Sequence, residues 1–151
     1  MASGNVTLFS KNKDDFRVND IVGATIKVAL VSSSWTPDTS TTGHSVWADV
    51  SANEVSGNGW TAGGETLASV VATAISGGYK VSSASPSKTA TGGSIPAFRY
   101  VVLRVSGSLW GMTDPLIGYF LGDTTPADVP ATTVGNPLTI NCPANGWFDI
   151  T

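Results

Sequence analysis

The residues of this chain that could do chemistry are few and scattered. His44 is the only histidine and Cys142 is the only cysteine in 151 residues. A Ser/His/Asp triad would have to use His44, which lies in a turn-like Gly-His-Ser context, and no Gly-x-Ser-x-Gly elbow occurs. A nucleophilic Cys142 would need a base beside it. We therefore expect His44 to be a surface or capping residue and Cys142 to be a small buried thiol at a strand end.

The acidic residues are dispersed along the chain and match no known site pattern. A glycosidase pair could be drawn from almost any such set. Asp123 and Asp128 share one loop, but their spacing fits no calcium-binding loop. One histidine and one cysteine cannot supply the usual zinc ligands. The sequence therefore predicts solvated loop carboxylates, no metal, no cofactor and no enzymatic activity.

The overall composition narrows the class of partner. Hydrophobic residues make up 41% of the chain and charged residues only 13%, about half the usual share. Either Ser, Thr, Asn and Gly supply the polar surface, or copies of the chain or a larger partner cover part of it. The net charge is −3, and the largest basic cluster is Lys11 with Lys13. This pattern argues against binding to nucleic acid or to a membrane surface.

No targeting or membrane segment is visible in the sequence. The longest apolar run, Val28 to Val31, is far too short to span a bilayer. Residues 1–5 lack the charged and apolar regions of a signal peptide. We expect a protein made in the cytoplasm without a signal peptide.

The elements that must position these residues are short β-strands. Thr25 to Ser32 alternates in side-chain character, and we expect its large apolar side chains, Ile26, Val28 and Leu30, to face the core. The other predicted strands are 6–9 at a sheet edge, 67–76, 79–81, 97–105, 115–121, 138–142 and 147–151.

Turn signals predict how some of these strands are connected. Strands 97–105 and 115–121 are expected to be antiparallel. Strands 138–142 and 147–151 should form a final hairpin through Asn145-Gly146. Residues 82–94 are expected to be an exposed loop. A short helix over Lys11 to Val18 should begin at Ser10, its N-cap.

These patterns together predict an all-β fold. We expect a single-domain β-sandwich or flattened barrel of about eight mostly antiparallel strands with one short N-terminal helix. Residues 1–20 would form the N-terminal strand and helix, and residues 21–151 would form the body. No internal repeat is visible.

The five tryptophans admit three interpretations: core or rim packing, a protein interface, or a platform on which sugars stack. Trp147 alternates with Asp149 and is expected in the core. Trp60 and Trp110 lie beside glycine turns, so we expect them to be partly exposed.

The most informative stretch of the sequence is Ala52 to Ala68, which reads ANEVSGNGWTAGGETLA, and its most specific block is Ala52 to Gly64. It follows the strand Thr25 to Val31. Further blocks follow in the order RYVVL at 99–103, PLIGY at 115–119 and NGWF at 145–148. Together these blocks resemble a family of small virion structural proteins of tailed bacteriophages. This chain departs from the family pattern at residues 92–96 and in an additional segment at 109–112.

The resemblance implies a virion component without enzymatic activity. The leading hypothesis is a capsid decoration (cement) protein bound to the outside of a shell of major capsid protein, present in many copies or as a homo-oligomer. The alternative is a tail, fibre or baseplate module that meets tail proteins and binds host glycans. Candidate interface residues are Val6, Leu8 and Phe9, which could add a strand to a partner's sheet, and Trp60 and Trp110.

Overall fold

The computed structural model describes residues 6–125 and 127–151, and of Asp14 the backbone only. The expectation about a signal peptide concerned residues 1–5 and lies outside this range. Within it the chain folds into thirteen strands, one α-helix and three 3-10 helices. Five of these strands are two residues long and eight are longer. The predicted all-β class is therefore confirmed.

The strands and helices follow one another along the chain with these bounds. The strands are β1 (Thr7–Leu8), β2 (Ile26–Val31), β3 (Glu54–Val55), β4 (Glu65–Thr66), β5 (Val71–Ile75), β6 (Gly78–Ser82), β7 (Ser87–Thr89), β8 (Tyr100–Val105), β9 (Ser108–Leu109), β10 (Met112–Thr113), β11 (Leu116–Leu121), β12 (Pro137–Thr139) and β13 (Phe148–Ile150). The α-helix α1 spans Val18–Gly23, and the 3-10 helices span Ser10–Asp15, Trp47–Asp49 and Ser51–Asn53.

A central antiparallel sheet organises the fold. Its strand order is β1-β11-β8-β2-β3, and β4 also pairs with β2. The long strands β2, β8 and β11 lie in the middle, where β-branched and large apolar residues are enriched. In the register, Val28 of β2 lies opposite Leu103 of β8. The predicted strands at 25–32, 97–105 and 115–121 are confirmed, as is the antiparallel pairing of the last two.

Both faces of this central sheet are buried. The predicted core face of β2, with Ile26, Val28 and Leu30, joins the larger hydrophobic cluster. The opposite face presents Ala29 and Val31 to a second cluster that contains three further aromatic residues and several aliphatic ones. The second layer over the larger cluster comes from two smaller sheets, one with the order β13-β6-β5 and one made of β12 and β7. This layering gives the sandwich-like character expected from the sequence.

A short N-terminal helix is present as predicted, but its predicted bounds, residues 11–18, are wrong. The chain forms a 3-10 helix over Ser10–Asp15, becomes extended at Phe16, and forms the α-helix only at Val18–Gly23. The side chain of Asn12 is buried and donates hydrogen bonds to the carbonyls of Ser45 and Leu116, at 2.7 and 2.9 Å. These bonds fix the 3-10 helix against the body of the fold. The predicted cap at Ser10 is absent, since Phe9 occupies that position.

The predicted C-terminal hairpin is also wrong. β12 pairs with β7, and β13 pairs with β6. A turn does form over residues 143–146, but it directs Trp147 to the carbonyl of Val81 in β6, to which the Trp147 N–H donates a bond of 2.7 Å. The predicted exposed loop at 82–94 contains β7, whose side chains are exposed.

Candidate functional site

The segment that carries the family resemblance is fixed to the central sheet by one arginine. The carbonyl of Gly63 accepts hydrogen bonds from Nε and Nη2 of Arg104, at 3.0 and 2.7 Å. The N–H of Gly63 donates to the carboxylate of Glu54. Both backbone polar groups of Gly63 are therefore bound by charged side chains, which give stronger hydrogen bonds than neutral partners.

Arg104 itself is buried, with 5% of its surface exposed. Its Nη1 lies 3.3 Å from the carboxylate of Asp114 and donates to the carbonyl of Val105 at 3.2 Å, and its guanidinium lies 4.9 Å from the ring centroid of Trp47. Burial lowers the pKa of Arg104, while the charges of Asp114 and Glu54 oppose that change. The guanidinium remains charged at neutral pH, as arginine does in proteins. Each of its three nitrogens has a partner. Arg104 in β8 therefore joins the segment around Gly63 to Asp114.

The neighbouring residues of the segment are also used by the fold. Glu65 is buried, accepts a hydrogen bond of 2.7 Å from the N–H of Thr61, and forms an ion pair of 3.5 Å with Lys88. Gly64 has φ of +97°, and a Cβ at this position would lie 2.5 Å from the carbonyl oxygen of Val28. Only glycine allows this backbone to approach β2 so closely.

Trp60 is buried, contrary to the prediction that it would be partly exposed. Only 2% of its surface is accessible, and it belongs to the larger hydrophobic cluster. Gly57 and Trp60 exchange both backbone hydrogen bonds, at 2.8 and 3.1 Å. The tight turn formed in this way directs the indole into the core. Trp60 therefore cannot anchor a partner or a sugar in this conformation.

The N-terminal interface candidates divide into two groups. Phe9 is fully buried between the rings of Trp35 and Tyr119, with centroid distances of 6.3 and 5.9 Å, so it is a core residue and not an interface residue. Val6 and Leu8 are half-buried and pack against the larger cluster. β1 lies at an edge of the central sheet, as predicted, but it is only two residues long.

Trp110 is half-buried, in agreement with the prediction of partial exposure. Its ring stacks on Phe16 with a centroid distance of 5.1 Å, and its indole N–H donates to the carboxylate of Asp20 at 3.2 Å. The additional segment at 109–112, which forms the β9–β10 hairpin, is thus attached to the region around α1. One polar and one aromatic contact already hold Trp110 in place.

His44 and Cys142 are placed close to the prediction. His44 stacks on Trp35 with a centroid distance of 5.8 Å, and its Nδ1 accepts a hydrogen bond of 3.3 Å from the N–H of Asp38. It therefore caps the loop, as expected. Cys142 lies beyond the end of β12 and is half-buried, with a weak S–H contact of 3.7 Å to the carbonyl of Pro143. Full burial was expected, but the chain is already leaving the core here.

Several carboxylates accept hydrogen bonds within local turns, whereas Glu54 and Asp114 contact the Gly63–Arg104 cluster. The prediction of solvated loop carboxylates is wrong for Glu65, which is buried. Hydrogen bonds from the side chain and backbone of Ser40 lower the pKa of Asp38, and those from Thr125 lower the pKa of Asp123. Among residues 6–125 and 127–151, His, Cys, Asp and Glu form no group of three or more that could hold a metal ion. In the same residues, the structure contains no helix long and apolar enough to cross a membrane.

A group of exposed apolar side chains lies elsewhere, beside the free edge of the β13-β6-β5 sheet. An open groove of about 630 Å³ separates α1 from the β5–β6 hairpin, and Arg17, Asp20, Val22 and Tyr79 line it. Val22 and Tyr79 are 38% and 44% exposed. The sequence carries a signal for this open edge, because residues 69–77 include no charge and no proline.

Comparisons with known proteins add no relative: neither the family models, nor the curated proteins, nor the solved structures include a match to this chain.

Proposed function

We propose that this protein is a structural component of a tailed-bacteriophage particle and acts as a capsid decoration protein on the outside of the shell. The proposal rests on the resemblance of Ala52 to Gly64 and the blocks that follow it. Several residues of this segment have a defined part in the fold: Glu54, Trp60, Gly63 and Gly64, together with Glu65 directly after it. A resemblance at such positions indicates a shared fold, and the family with that pattern consists of virion structural proteins.

The mechanism of such a protein would be binding alone. A ligand that binds the assembled state and not the dissociated state stabilises the assembled state by mass action. The half-buried apolar residues of the β1 region, Val6 and Leu8, would be buried against capsid subunits. Hydrogen bonds from Arg104 and to Glu54 hold Gly63 in place, so binding would require little further ordering of this segment.

Location in the particle is the decisive test. The phage whose genome encodes this chain is grown, and its virion is imaged by cryo-electron microscopy while its proteins are quantified by mass spectrometry. We expect density of this fold repeated over the capsid lattice, with a copy number comparable to that of the major capsid protein. Deletion of the gene should lower the temperature at which the shell releases its DNA.

Two other outcomes would redirect the proposal. Density confined to the tail, at low copy number, would overturn decoration and support the tail, fibre or baseplate alternative. Absence of the protein from purified particles would overturn both. A further test uses virions made with the Trp110→Ala variant. It shows whether Trp110, the one half-buried tryptophan among the candidates, contacts a partner.

A further inference from the structure

The outer edge of β5 is unpaired. β5 is the last strand of the β13-β6-β5 sheet, and no backbone hydrogen bond from the described residues reaches its outer side. Its five residues are Val-Ala-Thr-Ala-Ile, and Val71 is 49% exposed. Natural proteins protect such edges with charges, prolines, bulges or a covering element, because an open edge is a template for another strand. This edge has no charge and no proline.

Its backbone polar groups can be assigned from the pairing on the other side. The carbonyl of Val81 in β6 accepts a bond from Trp147 and so faces away from β5. Ala72 lies opposite Val81 in the register. This is therefore a non-hydrogen-bonded pair, and the N–H and C=O of Ala72 point outward. By the same alternation the polar groups of Ala74 also point outward.

The sequence of β5 is self-complementary about Thr73. A two-fold axis at Thr73 places Val71 of one copy opposite Ile75 of the other, and Ala72 opposite Ala74. The outward groups of the two alanines then form four backbone hydrogen bonds across the axis, with the two Thr73 residues as the non-hydrogen-bonded pair between them. The β-branched side chains at 71, 73 and 75 align on one face, which is a favourable cross-strand arrangement.

Charge also favours this edge as a meeting point between copies. The whole chain has a net charge of −3, so copies repel one another on average. β5 itself is neutral. The charged residues lining the adjacent groove are Arg17 and Asp20, and in the register Lys80 of β6 lies opposite Asp149 of β13. The two charges in each pair cancel. Contact between two β5 edges therefore brings no excess of like charge together.

We propose that two copies of this chain associate through their β5 edges to form one continuous antiparallel sheet of six strands, with the order β13-β6-β5 in one copy continued by β5-β6-β13 in the other. The contact is smaller than a standard stable interface of about 1,600 Å². We therefore expect a dimer that dissociates reversibly in the micromolar range. This inference does not depend on where in a particle the protein is located.

Sedimentation velocity on the purified full chain tests the dimer. The wild type should shift from the 15.5 kDa monomer towards the dimer as its concentration rises from low micromolar to about 1 mM. The double variant V71K/I75K places lysines opposite lysines across the axis and should stay monomeric. V71E/I75E should also stay monomeric. An equimolar mixture of the two variants should recover the dimer, because each lysine then meets a glutamate.

A control variant separates the edge from a general effect of charge. S87K/T89K adds the same two charges, two residues apart instead of four, to β7, whose side chains are exposed in another sheet, and should dimerise like the wild type. Ala74→Pro removes an outward N–H without touching the β5–β6 ladder and should abolish association. A monomeric wild type at every concentration would overturn the proposal. So would a V71K/I75K variant that dimerises like the wild type, or a mixture that stays monomeric.

Discussion

The guanidinium of Arg104 donates two hydrogen bonds to the carbonyl oxygen of Gly63, 41 residues away in sequence. This contact joins the segment before β4 to the middle of the central sheet. Gly63 in turn donates its N–H to Glu54, at the start of β3. The most specific motif of the sequence is therefore held to the central sheet by charge-assisted hydrogen bonds.

Replacement of Arg104 by methionine should destabilise the protein strongly. The change leaves the carbonyl of Gly63 and the carboxylate of Asp114 without their buried partner, and we expect a loss of about 3 kcal/mol in the free energy of unfolding. Urea denaturation monitored by tryptophan fluorescence measures it. Arg99→Met is the matched control, because the Arg99–Asp128 pair has exposed fractions of 31% and 46% and should contribute below about 1 kcal/mol. Equal losses in the two variants would contradict the assigned role.

Gly64→Ala should be more destabilising than an alanine at another glycine with positive φ. The new Cβ would lie 2.5 Å from the carbonyl of Val28, at a φ of +97°, and we expect a cost above about 3 kcal/mol. Gly92 has φ of +73° with no atom near the new Cβ, so Gly92→Ala should cost only about 1 kcal/mol. Thermal unfolding of both variants followed by circular dichroism gives the comparison. Similar melting temperatures would show that the backbone near β2 can move aside.

The parts of the fold that the sequence predicted well are those decided by local patterns. β2, β8 and β11 are long and rich in β-branched and aromatic residues, so their strand character is visible in the sequence. The burial of both faces of β2 was not visible, because Ala29 and Val31 look the same in a half-exposed strand. Trp35, from a loop, and Trp47, from a short 3-10 helix, lie in the cluster that covers them.

The sequence did not indicate which distant strands would pair with each other. A turn forms over residues 143–146, but Asn145 lacks the positive φ that a two-residue Asn-Gly hairpin turn requires. β13 pairs with β6 instead, and Trp147 donates its N–H to the carbonyl of Val81. The prediction that Trp60 would be partly exposed was wrong for a related reason. Glycines on both sides suggested an exposed turn, whereas they allow the tight reversal that buries the indole.

Trp60 and Trp110 should differ in their contribution to stability. Trp60→Ala removes a fully buried ring from the larger cluster and should cost about 3 to 5 kcal/mol. Trp110→Ala removes one stacking contact and one hydrogen bond from a half-exposed site, and should cost about 1 to 2 kcal/mol. Chemical denaturation of each variant measures the difference. A larger loss at Trp110 would indicate that the 109–112 hairpin holds the N-terminal region more firmly than its contacts imply.

Asp49 should make stability depend on pH in the acidic range. Partial burial by itself would raise the pKa of Asp49, but hydrogen bonds from the N–H groups of Ser45 and Val46, at 2.9 and 3.1 Å, hold that pKa below its ordinary value of 3.8. A carboxyl whose pKa is lowered by folding stabilises the folded state above its unfolded pKa. That contribution is lost as the pH falls through the folded pKa. Because the group is largely exposed, we expect less than about 1 kcal/mol.

The Asp49→Asn variant checks this dependence. At pH 7 the variant should unfold at a lower urea concentration than the wild type, since the charged acceptor is lost. Below the ordinary pKa of 3.8 the difference should shrink, because protonated Asp49 then resembles asparagine. Asp149→Asn is the control, because Asp149 is exposed and has no hydrogen bond to the described residues through its side chain. A difference for Asp49→Asn that stays constant from pH 7 to the acid limit would show that its effect does not come from the charge.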